Sequence, residues 1–154
     1  MAKLEVGKKA PAFTLLNQDG EKVSLKDFAG QRVVLYFYPA DDTPGCTKEA
    51  CQFNDNLKQF SKADVTVIGV SPNSAESHQK FRKKYGLTFD LLVDTDKKVM
   101  EKYGAYGEKM MYGKKVVGVI RSTFIIGPTG KIENAWYAVR ADGHAAKVLN
   151  SIVS

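Results

Sequence analysis

The chain has 154 residues, 44% of them hydrophobic, two cysteines, and 23 Lys+Arg against 17 Asp+Glu for a net charge of +6. That is enough apolar material for one domain spanning 1–154 with its own core, and it excludes a disulfide-held scaffold; the stretch 1–9 has no apolar leader and no run could cross a membrane, so a soluble, cytoplasmic protein of a reducing compartment is expected. The positive charge excludes little by itself: residues 1–77 hold 9 Lys+Arg against 10 Asp+Glu and residues 78–154 hold 14 against 7. The excess sits in short clusters (Arg82-Lys83-Lys84, Lys97-Lys98, Lys114-Lys115) without interleaved aromatics, the pattern of a solvated basic face rather than a nucleic-acid site.

Apolar runs alternate with helical patterns along the whole chain, with no linker or repeat, which is the signature of an α/β domain. Residues 13–16 and 23–25, joined through Asn17-Gln18-Asp19-Gly20, read as an N-terminal hairpin. Val33-Val34-Leu35-Tyr36-Phe37-Tyr38 reads as a strand buried on both faces and closed by Pro39, and 65–70 as a second such strand. Between them a helix runs from Pro44 to about Phe60, capped by Asp42 or Thr43. Ser74 caps a helix that ends at Tyr85 before Gly86. A short strand at 90–93, a short helix at 97–103, a glycine-rich segment at 104–113, a hairpin of 116–126 with 132–139, and a helix at about 142–153 complete the chain.

The cysteines carry the chemistry. Cys46 falls in the first turn of its helix, where unpaired backbone N–H groups and the positive end of the helix dipole favour an anion, so a thiolate is expected there. Cys46, Ala50, Phe53, Leu57 and Phe60 form one apolar stripe, which turns Cys46 toward the core, while Cys51 shares a polar, water-facing side with Thr47, Asn54 and Lys58. Five residues of helix turn through roughly 500° and rise about 7.5 Å, so the two sulfurs point about 140° apart and cannot bond while the helix is intact. A disulfide between them needs Cα atoms within about 6.8 Å and hence local unwinding. Two other readings compete. Both cysteines can be packing residues, or they can bind metal, although the only histidines, His78 and His144, are far from them in sequence and a closed zinc site takes four ligands. The spacing is not the C-x-x-C of disulfide oxidoreductases.

The segment from Phe37 through Pro39, Thr43, Pro44, Gly45 and Cys46 to Cys51 resembles the active-site loop and helix of the peroxiredoxins. It contains their P-x-x-x-T-x-x-C signature with Pro39, Thr43 and Cys46 in register. Thr-Pro-Gly-Cys-Thr with a second cysteine five residues on is similar to the bacterioferritin-comigratory, or peroxiredoxin Q, subfamily, and Arg121-Ser122-Thr123-Phe124-Ile125-Ile126 resembles that family's later strand motif. The likeness runs from Gly7 to the last helix. Ala40 departs from it, standing where the subfamily often has a lysine.

The resemblance, together with the element order, implies a thioredoxin-like fold: a central mixed sheet flanked by helices with an N-terminal β-hairpin. It implies a thiol-dependent peroxidase acting on hydrogen peroxide and organic hydroperoxides. Cys46 would be the peroxidatic cysteine and Arg121 the cation stabilising thiolate and transition state. Thr43 would offer its hydroxyl to the sulfur or the peroxide, Pro39 would shield the pocket, and the N–H groups of Gly45 and Cys46 would hold the peroxide oxygens. Cys51 would resolve the sulfenic acid into a Cys46–Cys51 disulfide, reduced in turn by thioredoxin or a similar dithiol protein. No cofactor or metal is implied, and the subfamily favours a monomer or a weak dimer. Glu49 orders the pocket or is simply a solvated helical residue. Each cycle would open the segment 41–56, helical when reduced and partly disordered when disulfide-bonded. The competing function is a thioredoxin-like disulfide exchanger or redox adaptor without peroxidase activity.

Overall fold

The computed structural model describes residues 3–153; Met1 and Ala2, at the head of the N-terminal stretch read above, and Ser154 lie outside the described residues. In chain order the elements are β1 (Thr14–Leu16), β2 (Lys22–Ser24), a single 3-10 turn (Leu25–Phe28), β3 (Arg32–Phe37), α1 (Pro44–Asp55), α2 (Leu57–Lys62), β4 (Val65–Ser71) and α3 (Ala75–Tyr85). They continue with β5 (Asp90–Val93), α4 (Lys98–Lys102), β6 (Tyr106–Met111), β7 (Lys114–Val119), β8 (Ser122–Ile126), β9 (Ile132–Trp136) and α5 (His144–Val153).

The unbroken apolar run from Val33 behaves as a strand covered on both sides must. β3 lies inside a seven-stranded sheet of order β2-β1-β5-β4-β3-β8-β9, parallel to β4 and antiparallel to β8. Because side chains alternate along a strand, Val33, Leu35 and Phe37 pack with Phe13, Tyr103 and Phe124 on one face. Val34, Tyr36 and Tyr38 pack on the other with Phe53, Phe60 and Phe81. The apolar stripe of α1 seats that helix on this second face: Cys46, Ala50 and Phe53 are all buried. A large-to-small change such as Phe53→Ala there costs about 3–5 kcal/mol.

Local rules hold at several ends. The Asn17 carboxamide accepts from the N–H groups of Asp19 (2.9 Å) and Glu21 (3.0 Å), which closes the β1–β2 hairpin as its Asn-Gln-Asp-Gly sequence requires. Ser74 Oγ accepts from Ser77 N–H at the start of α3, and Gly86 ends it in the left-handed region at φ +67°.

Three readings change. The helix expected to continue to Phe60 breaks at Asn56, whose side chain donates to Gln52 O at 2.8 Å and takes the carbonyl its own N–H would use. The run 116–126 is two strands, not one, and the glycine-rich segment before it is a strand as well: β6 pairs with β7 as a separate ribbon, and only β8 joins the large sheet, beside β9. Ile120 and Arg121 form the turn between them, with Ile120 N–H on Ala105 O (2.7 Å) and Arg121 O accepting from Val139 N–H (3.0 Å). β9 ends at Trp136, short of Val139.

Candidate active site

The mouth of α1 follows directly from residues 39–46. Pro39 is half-buried just beyond β3. Thr43 takes the N-cap position in extended conformation (φ −94°, ψ 155°), with Pro44 in the first turn, where a missing N–H costs nothing. The first helical carbonyl, Thr43 O, accepts from Thr47 N–H at 2.8 Å, so the N–H groups of Gly45 and Cys46 have no helical acceptor behind them. Thr43 makes no side-chain cap bond to them; its hydroxyl donates to Ala40 O at 3.0 Å. That corrects one expectation: the Thr43 hydroxyl proton is committed to the backbone, which leaves its oxygen as an acceptor. Asp42 does not cap either, as its carboxylate takes Tyr85 Oη (2.6 Å) and Lys84 Nζ (2.8 Å).

Cys46 is 1% exposed. Its sulfur lies 3.3 Å from Arg121 Nη2, and the other terminal nitrogen, Nη1, donates to Glu49 Oε1 at 2.7 Å. One guanidinium therefore bridges the sulfur and a carboxyl one helical turn away, a geometry a lysine ammonium could not copy. Gly45 makes the approach close: a Cβ there would stand 3.3 Å from Arg121 Nη2. The sequence reading places Arg121 within the strand 116–126; in the fold it lies between β7 and β8, in the turn that aims it at α1.

Residues 6–135 match the family described as AhpC/TSA. Peroxiredoxin Bcp of Bacillus subtilis is 44% identical over 149 residues, covering 97% of this chain and 95% of that one, and peroxiredoxin Bcp of Escherichia coli is 45% identical over 150 residues, covering 97% and 96%. The chain belongs to the AhpC/TSA family, as a peroxiredoxin of the bacterioferritin-comigratory branch. Solved structures agree. The bacterioferritin comigratory protein of Xanthomonas campestris, described for its alkyl peroxide reduction activity, superposes with a TM-score of 0.89 at 39% identity, covering 96% of this chain and 97% of that one. The PrxQ of Xylella fastidiosa gives 0.91 at 39% identity, covering 98% and 96%. The thioredoxin-like fold expected from the element order is therefore the fold of this peroxiredoxin.

Glu49 is not a solvated helical residue. It is fully buried, and burial pushes its carboxyl up to about 7 against the pull of Arg121. Among the described residues its second oxygen, Oε2, has no hydrogen-bond partner. No local pattern separates this glutamate from an exposed one, because its partner lies 72 residues away.

Cys51 differs from the expectation in degree. It is free and half-buried, packed at the edge of the Phe53 cluster, and burial together with the nearby Asp55 carboxylate pushes its thiol up. Its polar neighbours are not idle: Asn54 donates to Gly86 O (3.1 Å) and accepts from Thr88 N–H (3.0 Å) and Thr88 Oγ1 (3.2 Å). On the other side Gln52 donates to Asp142 Oδ1 (2.7 Å) and accepts from Gly143 N–H (2.8 Å). Two side-chain clasps thus hold the middle of α1 to the loops beside it.

A further group had no sequence signal at all. Asp41 accepts from Tyr38 Oη (2.6 Å) and Ser77 Oγ (2.7 Å), lies 2.7 Å from His78 Nδ1, and takes Asn73 Oδ1 on its N–H at 2.8 Å. His78 Nε2 is in turn 2.8 Å from Leu92 O. This hub ties the loop ahead of Cys46 to α3, to β5 and to the β4–α3 loop. Neither histidine stands with the cysteines; His144 pairs through Nε2 with Thr123 Oγ1 at 2.8 Å, and burial brings its pKa down to about 4.

Proposed function

We propose that the protein is a thiol-dependent peroxidase, in the cytoplasm, that reduces hydrogen peroxide and organic hydroperoxides through Cys46. The observation that carries this reading is the Arg121 guanidinium held 3.3 Å from the Cys46 sulfur by Glu49. The Cys46 thiolate attacks the terminal oxygen of the hydroperoxide; the O–O bond breaks, the sulfur becomes a sulfenic acid, and the departing oxygen leaves with a proton as water or alcohol. Arg121 stabilises the charge as it moves from sulfur to the departing oxygen, and the Gly45 and Cys46 N–H groups hold the peroxide at the helix mouth. The Thr43 oxygen, its proton on Ala40 O, accepts from the O–H of the substrate. Pro39 shields the site from bulk water. Sulfur supplies both electrons, so no cofactor or metal enters.

Cys51, a neutral thiol while α1 is intact, does not compete for peroxide. The sulfenic acid and the Cys51 thiol condense with loss of water once α1 opens, and a thioredoxin-like dithiol reduces the Cys46–Cys51 disulfide by exchange. The Asp41 hub stays fixed on α3, so opening starts after Asp41 and extends to the break at Asn56. The protein works as a monomer or weak dimer. Stopped-flow oxidation of the reduced protein by hydrogen peroxide tests the reading: Cys46 reacts orders of magnitude faster than free cysteine and Cys46→Ser removes the reaction. A rate equal to that of free cysteine ends it, and leaves a disulfide exchanger.

A further inference from the structure

Among the described residues six large hydrophobic side chains stand exposed, and four of them, Met110 (67%), Met111 (45%), Tyr112 (98%) and Val117 (65%), lie on the β6–β7 ribbon. That ribbon is paired apart from the seven-stranded sheet, and its outer end stays uncovered. Register shares the side chains out. Met110 lies opposite Lys115 and Glu108 opposite Val117, which puts Met110 and Val117 on one face; Met111, opposite Lys114, is on the other. Tyr112 and Gly113 make the two-residue turn between the strands.

The turn carries a residue that the fold does not favour. Tyr112 (φ +53°) and Gly113 (φ +78°) are both in the left-handed region, as a hairpin turn of this kind requires, and the first of those positions ordinarily goes to Asn, Asp or Gly. A bulky ring there costs backbone energy and, almost fully exposed, gains nothing from burial within the chain. A contact outside the chain accounts for it. Single exposed apolar residues are ordinary, whereas a cluster of them at one end of a ribbon marks an interaction surface.

Charge decides the kind of surface. Lys114 and Lys115 follow the turn and are exposed; Lys115 meets Glu108 at 3.5 Å, and among the described residues no carboxylate pairs with Lys114. Lys109 is turned back to the other end of the ribbon, its ammonium on Val119 O. Apolar side chains, a tyrosine and uncompensated positive charge on one tip suit an anionic lipid surface. The ring lies at headgroup level, the apolar groups reach the acyl boundary, and the lysines stay with the phosphates. A second copy of the chain fits worse. A two-fold contact at this tip would set the lysines of both copies together, and four side chains fall far short of the roughly 20–30 residues a side of a specific protein interface. No helix among the described residues is long and apolar enough to cross a membrane, so the contact is peripheral.

We propose that the β6–β7 tip docks the protein on anionic lipid bilayers: Met110, Tyr112 and Val117 enter the interface, and Lys114 and Lys115 hold lipid phosphates. Two cations and a few apolar side chains give a reversible, salt-sensitive contact. It is independent of the chemistry at Cys46.

Co-sedimentation with vesicles of phosphatidylcholine alone, and of phosphatidylcholine mixed with phosphatidylglycerol, tests the proposal. The wild type binds the anionic vesicles and not the neutral ones, and salt releases it. Lys114→Gln with Lys115→Gln weakens binding about 25-fold, or about fivefold for each lysine at the surface. Tyr112→Ser with Met110→Ser weakens it about tenfold at unchanged charge. Lys22→Gln with Lys26→Gln removes as much charge from the β2 region and changes binding about twofold at most. Far-UV circular dichroism checks that each variant is folded, and the comparison of the two vesicles on the wild type needs no variant. Binding to neither vesicle, or equally to both, overturns the proposal. So does an equal loss in the Lys22 and Lys26 pair, or a wild-type dimer in sedimentation velocity that Tyr112→Ser with Met110→Ser dissolves.

Discussion

On the Cys46 side of α1 the surroundings are buried and charged, and on the Cys51 side they are half-open and polar, although five residues separate the two sulfurs. Cys46 faces a guanidinium at 3.3 Å that is itself anchored by a fully buried carboxyl. At Cys51 the shift is the opposite of what a cation would cause: burial, and then the Asp55 carboxylate, push its thiol up. The contrast teaches that reactivity is assigned by field and access rather than by residue type. The inner side holds charge that water would otherwise screen, so proton states shift there; the outer side holds α1 by bonds that water can replace, so it can open.

The largest effect comes from removing the outer sulfur. Cys51→Ser keeps the first oxidation of Cys46 but loses turnover with a dithiol reductant altogether, and a sulfenic acid that dimedone traps accumulates; sustained turnover would show that Cys51 is not the resolving group. Arg121→Met makes the Cys46 side resemble the Cys51 side. Peroxide oxidation of Cys46 falls about 10²- to 10³-fold, the usual worth of one transition-state donor, in stopped-flow traces.

Next in size is the pH dependence of stability, which reads the inner side. The Glu49 carboxyl is raised to about 7, so its contribution is present below about 4.5 and is lost as pH rises through 7. His144 is lowered to about 4, so its contribution is present above about 6.5 and is lost as pH falls through 4. The two slopes oppose each other between pH 4.5 and 6.5, each developing on the order of 3 kcal/mol over its full window. Urea denaturation of Glu49→Gln therefore gives stability that rises with pH across that range, and of His144→Gln stability that falls; parallel curves would place both groups in ordinary proton states. The smallest change acts on the outer clasp. Asn54→Ala removes bonds worth about 1 kcal/mol net, so α1 opens more readily and the Cys46–Cys51 disulfide forms about fivefold faster, with faster amide exchange confined to residues 44–56.

Much of this was legible in the chain. Val33 to Tyr38 reads as a doubly covered strand because every position is apolar, and the cysteine helix reads from Thr43-Pro44 and from the stripe of Cys46, Ala50 and Phe53. Ser74 and Gly86 bracket α3 by local capping alone. The β6–β7 ribbon was illegible because a strand pair outside the sheet buries little, so its alternation is weak and its Gly107 and Gly113 look like loop. The unbroken look of 116–126 hides the turn at Arg121, since nothing local distinguishes an arginine that ends a ribbon from one within a strand. The same holds for Glu49 and Asp41, whose partners Arg121 and His78 lie 72 and 37 residues away.

By itself the sequence determined the elements whose causes are local, namely apolar periodicity, caps and the position of a thiol at a helix mouth, and it determined the likeness to the peroxiredoxins. Tertiary structure alone decided which charges meet: that Arg121 spans Glu49 and Cys46, and that Asp41 anchors the loop on His78. Charge pairing is a matter of distances between residues far apart in the chain, and only the packing of α1 against the sheet brings those distances within a few ångströms.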